Sequence, residues 1–149
     1  MNLFDKIAAD LLEAMKARQK ERLEALRNIK KALIEARSAK SAGLELTDDE
    51  SLKVIQKLAK QGHDSATIYI EQGRSDLYEQ EMFQVGIIES YLPAKMSTEE
   101  LETYIKALIG NLGVSSIKDM GKVMPVASKE LAGKAEGREI SEMVRKLLN

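Results

Sequence analysis

One local signal occurs twice in this sequence and restricts the fold more than any other feature. Thr47-Asp48-Asp49-Glu50 and Ser97-Thr98-Glu99-Glu100 each set a hydroxyl residue three positions before a glutamate, ahead of an apolar run with helical spacing. In such a capping box the hydroxyl accepts a hydrogen bond from one backbone N–H and the glutamate accepts from another, so two donors that every helix leaves unpaired at its start are satisfied together. Both segments read as helix starts. After the first, Leu52, Ile55, Leu58, Ala59, Ala66 and Ile70 form the apolar face; after the second, Leu101, Tyr104, Ile105, Leu108, Ile109 and Leu112 do so.

The same spacing covers most of the chain. Leu3, Ile7, Leu11 and Met15 make one stripe and Leu23, Leu26, Ile29 and Leu33 a second, with a break near residue 20, where the run from Lys16 to Arg22 has no strong apolar side chain. Gly43 ends this region, and the helix opened by Thr47 stops near Gln72-Gly73, where glycine can take the left-handed cap conformation. Ser75 caps a fourth helix carrying Tyr78, Met82, Val85, Ile88 and Leu92, and Pro93 closes it. Further on, Gly110 and Gly113 mark a helix exit. Ser116-Ile117-Lys118-Asp119 opens the next helix as a weaker capping box, and Pro125 bends or interrupts it. Gly133 to Gly137 form a turn, and Ile140, Met143, Val144, Leu147 and Leu148 line a terminal helix. Two prolines and 4% aromatic residues argue against a β-sandwich or barrel. The expected fold is all-α: an N-terminal bundle of about four helices over residues 1–93, then a smaller three-helix unit over residues 96–149.

Several chemistries are excluded by residue type. Without cysteine, and with His63 as the single histidine, there are no disulfides, thiolate zinc sites, cysteine nucleophiles or sites needing two imidazoles. Neither a G-x-G-x-x-G nor a G-x-x-x-x-G-K-[ST] phosphate cradle occurs. The carboxylates of Asp48-Asp49-Glu50 and of Glu99, Glu100 and Glu102 fall in first helical turns, where the helix dipole favours negative charge. Ser115-Ser116 near Lys118 lacks an oxyanion motif, and His63 has no catalytic neighbours in sequence. Met120, Met124 and Met143 sit at core spacing. The expectation is therefore no catalytic residue, no metal ligand and no cofactor. No window approaches 18 apolar residues, and the first segment reads as a charged amphipathic helix. A cytoplasmic chain without a membrane partner is expected, with a monomer favoured.

A net charge of −1 hides an uneven distribution. Residues 1 to 40 hold 10 basic and 6 acidic groups, residues 41 to 93 hold 4 and 10, and residues 94 to 149 hold 9 and 8. In the first region Lys16, Arg18, Lys20, Arg22, Arg27, Lys30 and Lys31 are dense, with Glu13, Glu21, Glu24 and Glu35 available as helix-surface partners. In the tail, Lys118 and Lys122 are four apart and share a face, Lys129 follows, and Lys134 and Arg138 flank the next turn. On charge alone this reads first as a solvated face, because Asp119, Glu130 and Glu136 are interspersed and stacking aromatics are missing; the alternative is a face whose lysines grip phosphates as point charges. Gly121 would let a sugar–phosphate backbone approach beside Lys122.

The segments Asp119-Met120-Gly121-Lys122-Val123-Met124 and Gly133-Lys134-Ala135-Glu136-Gly137, with Asp64-Ser65, Gln72-Gly73-Arg74-Ser75-Asp76-Leu77 and Tyr91-Leu92-Pro93 upstream, resemble the GatB/YqeY family over essentially the whole chain. The stand-alone YqeY-like members are its nearest form. Two departures stand out: Pro125 where small residues are usual, and Gly62-His63 where the family tends to be basic. The resemblance implies that the C-terminal unit is akin to the tail of the B subunit of glutamine-dependent aspartyl/glutamyl-tRNA amidotransferase, a tRNA-contacting appendage. It thereby implies tRNA or another structured RNA as partner, bound through Lys118, Gly121, Lys122, Lys129, Lys134 and Arg138, and a protein partner in translation. The family's ATP-dependent site belongs to a separate, larger domain of that subunit and its glutaminase to another subunit. The label of carbon–nitrogen ligase with glutamine as amido-N-donor is thus implied for the larger enzyme, and this chain is expected not to catalyse alone. A competing expectation is a protein-interaction adaptor that uses the acidic middle around Glu71, Asp76, Glu79 and Glu81.

Overall fold

The computed structural model describes residues 2–149, which form seven α-helices and one 3₁₀ turn, with no strand among the described residues. The chain divides into two compact units, one ending at Leu92 and one running from Pro93 to Asn149.

In the first unit, α1 (Leu3–Lys16) starts where the Asn2 side chain accepts from the Asp5 N–H at 2.8 Å. It ends in a sharp reversal: Arg18 adopts φ 56°, and the chain re-enters helix as α2 (Lys20–Ser38). The break falls where the apolar pattern lapses. The α1 core face is Ile7 and Ala14, both fully buried, whereas Met15, expected on that face, is 47% exposed. Met15 follows Ala14 by one residue, which swings it about 100° around the helix to the rim of the contact.

Both bonds of the Thr47 capping box are formed at the start of α3 (Asp48–Glu71), with the Glu50 N–H donating to Thr47 Oγ1 at 3.2 Å and the Thr47 N–H to Glu50 Oε1 at 3.1 Å. Asp48 serves two helices, since its Oδ1 also accepts from the Leu3 N–H at 2.9 Å. The last buried residue of α3 is Ala66, so Ile70, expected in the core, is half exposed on turns that reach past it. Gly73, at φ 72°, makes the turn into α4 (Ser75–Glu89). Here Ser75 is the first helical residue and not the cap; Arg74 holds the cap position without a side-chain cap bond, and instead pairs with Asp76. α4 ends at Glu89, before Pro93, because the Tyr91 and Leu92 N–H groups tighten onto the carbonyls three residues back, at Ile88 and Glu89. Ile7, Leu26, Ile29, Leu33, Ile55 and Ile88 make the core of this unit.

α3 and α4 approach closely at Gly62. A Cβ on that residue would lie 2.5 Å from Cγ2 of the buried Val85, so only glycine fits. Beside it, the His63 Nε2 lies 3.3 Å from Glu89 Oε1.

In the second unit, α5 (Thr98–Leu112) carries the Ser97 capping box, with both bonds present. It ends at Gly113, which takes φ 66°, while Gly110 remains inside the helix and Leu112 is 40% exposed. Ser116 accepts from the Lys118 N–H at 3.3 Å and so caps a 3₁₀ turn, Ile117–Asp119. α6 (Met120–Glu130) starts only after that turn, and Ile117, expected on its core face, is 42% exposed. The shorter Asp119 side chain makes no reciprocal cap bond and faces Lys122 instead. Pro125 lies within α6, which continues through it uninterrupted. α7 (Gly137–Leu148) closes the unit, and its buried Ile140, Met143, Val144 and Leu148 meet Leu101, Ile105, Val123 and Ala127 from α5 and α6.

Candidate nucleic-acid interface

Burial divides α6 cleanly into two faces. Val123 and Ala127 are fully buried, while Gly121, Lys122, Pro125 and Lys129 are exposed. Lys122 and Lys129 are seven residues apart, close to two turns, so they lie on one line roughly 10 Å apart along the axis. Lys118, in the preceding 3₁₀ turn, is exposed as well. A Cβ on Gly121 would meet nothing within 4 Å, so the space beside Lys122 is open. Pro125 has no N–H, which removes the donor that would otherwise engage the Gly121 carbonyl and leaves a backbone acceptor at the same spot.

The turn between α6 and α7 is held on both sides. Gly133 takes φ 79°; the Lys134 N–H donates to the Leu131 carbonyl at 2.9 Å, and the Lys134 carbonyl accepts from the Met96 N–H at 2.9 Å. The backbone is fixed and the Lys134 side chain is exposed. Gly137, expected to share in this turn, is instead the first residue of α7, and Arg138 follows it, exposed, in the first turn of the helix.

Local carboxylates leave most of these cations free. Lys122 Nζ is 3.8 Å from Asp119 Oδ1 and Arg138 Nε is 3.0 Å from Glu142 Oε1, with the two basic side chains 73% and 83% exposed. Exposed pairs of this kind contribute about 0–1 kcal/mol and yield readily to a phosphate. Lys118, Lys129 and Lys134 have no carboxylate within 4.0 Å among the described residues. Glu130, the sequence neighbour of Lys129, accepts from the Tyr104 hydroxyl on α5.

The six residues singled out from sequence are therefore all exposed, on consecutive elements of one unit. Two exposed cations on α7 escaped that reading: Arg145, seven residues after Arg138, and Lys146. The seven-residue step was the available signal, although cations in a last helical turn also complement the dipole. Of the acidic middle, Asp76 is tied to Arg74 by two bonds of 3.1 Å, which hold its carboxyl below the usual range, while Glu81 lines a cleft with Glu21 and Glu24.

The family profile described as Yqey-like protein matches residues 4–148. The chain belongs to the YqeY-like family. A curated relative, "Altered inheritance of mitochondria protein 41, mitochondrial" of Pyrenophora tritici-repentis, is 26% identical over 150 residues, covering 98% of this chain and 81% of the relative. The YqeY-like match runs through both units, so the α6 stripe and the α1–α4 bundle both lie inside the family region. No helix of the described residues is long and apolar enough to cross a membrane.

Proposed function

We propose that this YqeY-like chain is an RNA-binding accessory protein whose C-terminal unit docks on tRNA or another structured RNA through Lys118, Gly121, Lys122, Lys129, Lys134 and Arg138. The observation that carries the reading is the exposed stripe of α6, where Lys122 and Lys129 lie at two-turn spacing with the open Gly121 beside Lys122, in a unit where three of the five named cations have no carboxylate partner. With a chain net charge of −1, attraction to RNA must come from such a local patch and not from bulk charge. The lysines and Arg138 contact phosphates, so shape and charge spacing are recognised in place of base sequence. Amide-transfer chemistry stays with larger relatives, and a cytoplasmic setting with a protein partner in translation belongs to the same proposal; the fungal relative's mitochondrial name describes that relative alone.

The test is a fluorescence-anisotropy titration of the full chain against total tRNA and a duplex RNA of equal charge at two salt concentrations, with Lys122→Ala/Lys134→Ala alongside. Preferential, salt-sensitive tRNA binding that the double substitution weakens is expected. Binding to neither RNA, or binding indifferent to the substitutions, overturns the reading. The adaptor alternative built on Glu71, Asp76, Glu79 and Glu81 has weaker support because Arg74 already occupies Asp76. It gains ground if the RNA titration fails and one stoichiometric protein survives nuclease treatment in a pull-down.

A further inference from the structure

The α2 helix sorts part of its charge by flank, with Lys31 and Glu35 bordering both sides. Glu21 and Glu24 look toward α4, where they line a cleft with Glu81 and Gln84. Arg27 and Lys30 look toward α1, and Arg37 stacks over the Phe4 ring at 4.9 Å. Between α1 and α2 the chain forms a groove whose apolar members are Leu11 and Ile34 and whose charged members are Arg27, Lys30, Lys31 and Glu35. Leu12, 51% exposed, and Met15, 47% exposed, extend apolar surface along α1. None of Arg27, Lys30 and Lys31 has a carboxylate within 4.0 Å among the described residues, so three cations against the single acid Glu35 border an apolar strip.

From this juxtaposition we propose that the α1–α2 groove docks an acidic amphipathic helix of a partner protein. A groove between two helices accepts the ridge of a third, with apolar residues at i, i+3, i+4 and i+7 seated on Leu11, Leu12 and Ile34. Carboxylates flanking that ridge meet Arg27, Lys30 and Lys31, and this charge complementarity selects the acidic occupant. RNA is a poorer fit, because the apolar Leu11 and Ile34 set among these cations offer nothing to a phosphate backbone. The site lies in the first unit, and its contacts are separate from the cations assigned to RNA in the second.

A photo-crosslinking amino acid in place of Leu12 in the full chain, expressed in the native host, tests this, with the same probe at the exposed Glu99 as control. The expected adduct at position 12 is a protein segment with acidic, amphipathic helical sequence. The purified complex with that protein should weaken at least tenfold with Ile34→Glu and with Arg27→Glu/Lys30→Glu, and should be unchanged by Lys122→Ala/Lys134→Ala. Arg27 is exposed and Lys30 half-buried, and circular dichroism verifies that each variant is folded. Adducts consisting of RNA, lipid or a second copy of this chain, no adduct above control, or affinity indifferent to the charge reversal would each overturn the proposal.

Discussion

Gly62 owes its place in α3 to packing. The missing side chain lets α3 sit against the branched, fully buried Val85, whose nearest methyl would be 2.5 Å from an added Cβ. Overpacking of this kind costs about 1–3 kcal/mol, while replacing glycine inside a helix regains roughly 1 kcal/mol of propensity. Gly62→Ala is therefore expected to lower stability by up to about 2 kcal/mol in denaturant melts. The cost should shrink or reverse in a Val85→Ala background, and equal costs in both backgrounds would contradict the clash. Ser51 presents the opposite case. Its hydroxyl is 1% exposed on the core side of α3 and has no hydrogen-bond partner among the described residues. An unsatisfied buried hydroxyl costs about 1–3 kcal/mol, and alanine is the better helix former. Ser51→Ala should raise the melting temperature, and a lower one would mean that the hydroxyl is used.

The start of α3 makes the same physics titratable. Lys40 Nζ lies 2.7 Å from Glu50 Oε1 and also donates to the Glu45 carbonyl at 2.9 Å, so it fastens the loop between α2 and α3 onto the capping box. The Lys40 hydrogen bond, then those from Thr47, hold the Glu50 carboxyl at about 2, well below the ordinary glutamate range. Because the folded value is the lower one, the unfolded chain takes up the proton first as pH falls. The stabilisation is complete above about pH 4.5 and is lost on descent toward about 2. Glutamine fills the capping position without titrating. The difference in melting temperature between wild type and Glu50→Gln should therefore fall through that window, whereas a difference independent of pH would contradict the ion pair. Both capping boxes were legible in the sequence because they are local: four consecutive residues and two bonds. Helix ends such as that of α4 were less so, since i to i−3 bonds at Tyr91 and Leu92 stop it ahead of the proline. Exposure at Met15, Ile70, Leu112 and Ile117 was hidden for a related reason, because periodicity gives the direction a side chain points but not whether another element reaches it.

Across the chain, charge is nearly balanced but unevenly distributed, and the proposed RNA contact depends on that distribution. The tail cations were legible as exposed because lysine and arginine seldom bury, yet their alignment became explicit only when α6 placed Val123 and Ala127 inward and Lys122 and Lys129 outward. Arg145 and Lys146 were less legible, because they fall in the last turn of α7, where the helix dipole alone accounts for basic residues. If five cations contact phosphate, each releases bound counterion, and the slope of log K against log salt steepens by about 0.7–0.9 per contact. Removing Lys122 and Lys134 together should flatten the measured slope by about 1.5 while weakening tRNA binding. Arg145→Ala/Lys146→Ala should flatten it further only if the α7 face joins the contact. Loss of affinity with an unchanged slope would mean that the lysines act through the fold of the unit and not by touching phosphate. Charge reversal at Arg27 and Lys30, on the opposite unit, provides the reference, since a change of slope there would move RNA contact away from the α6 stripe.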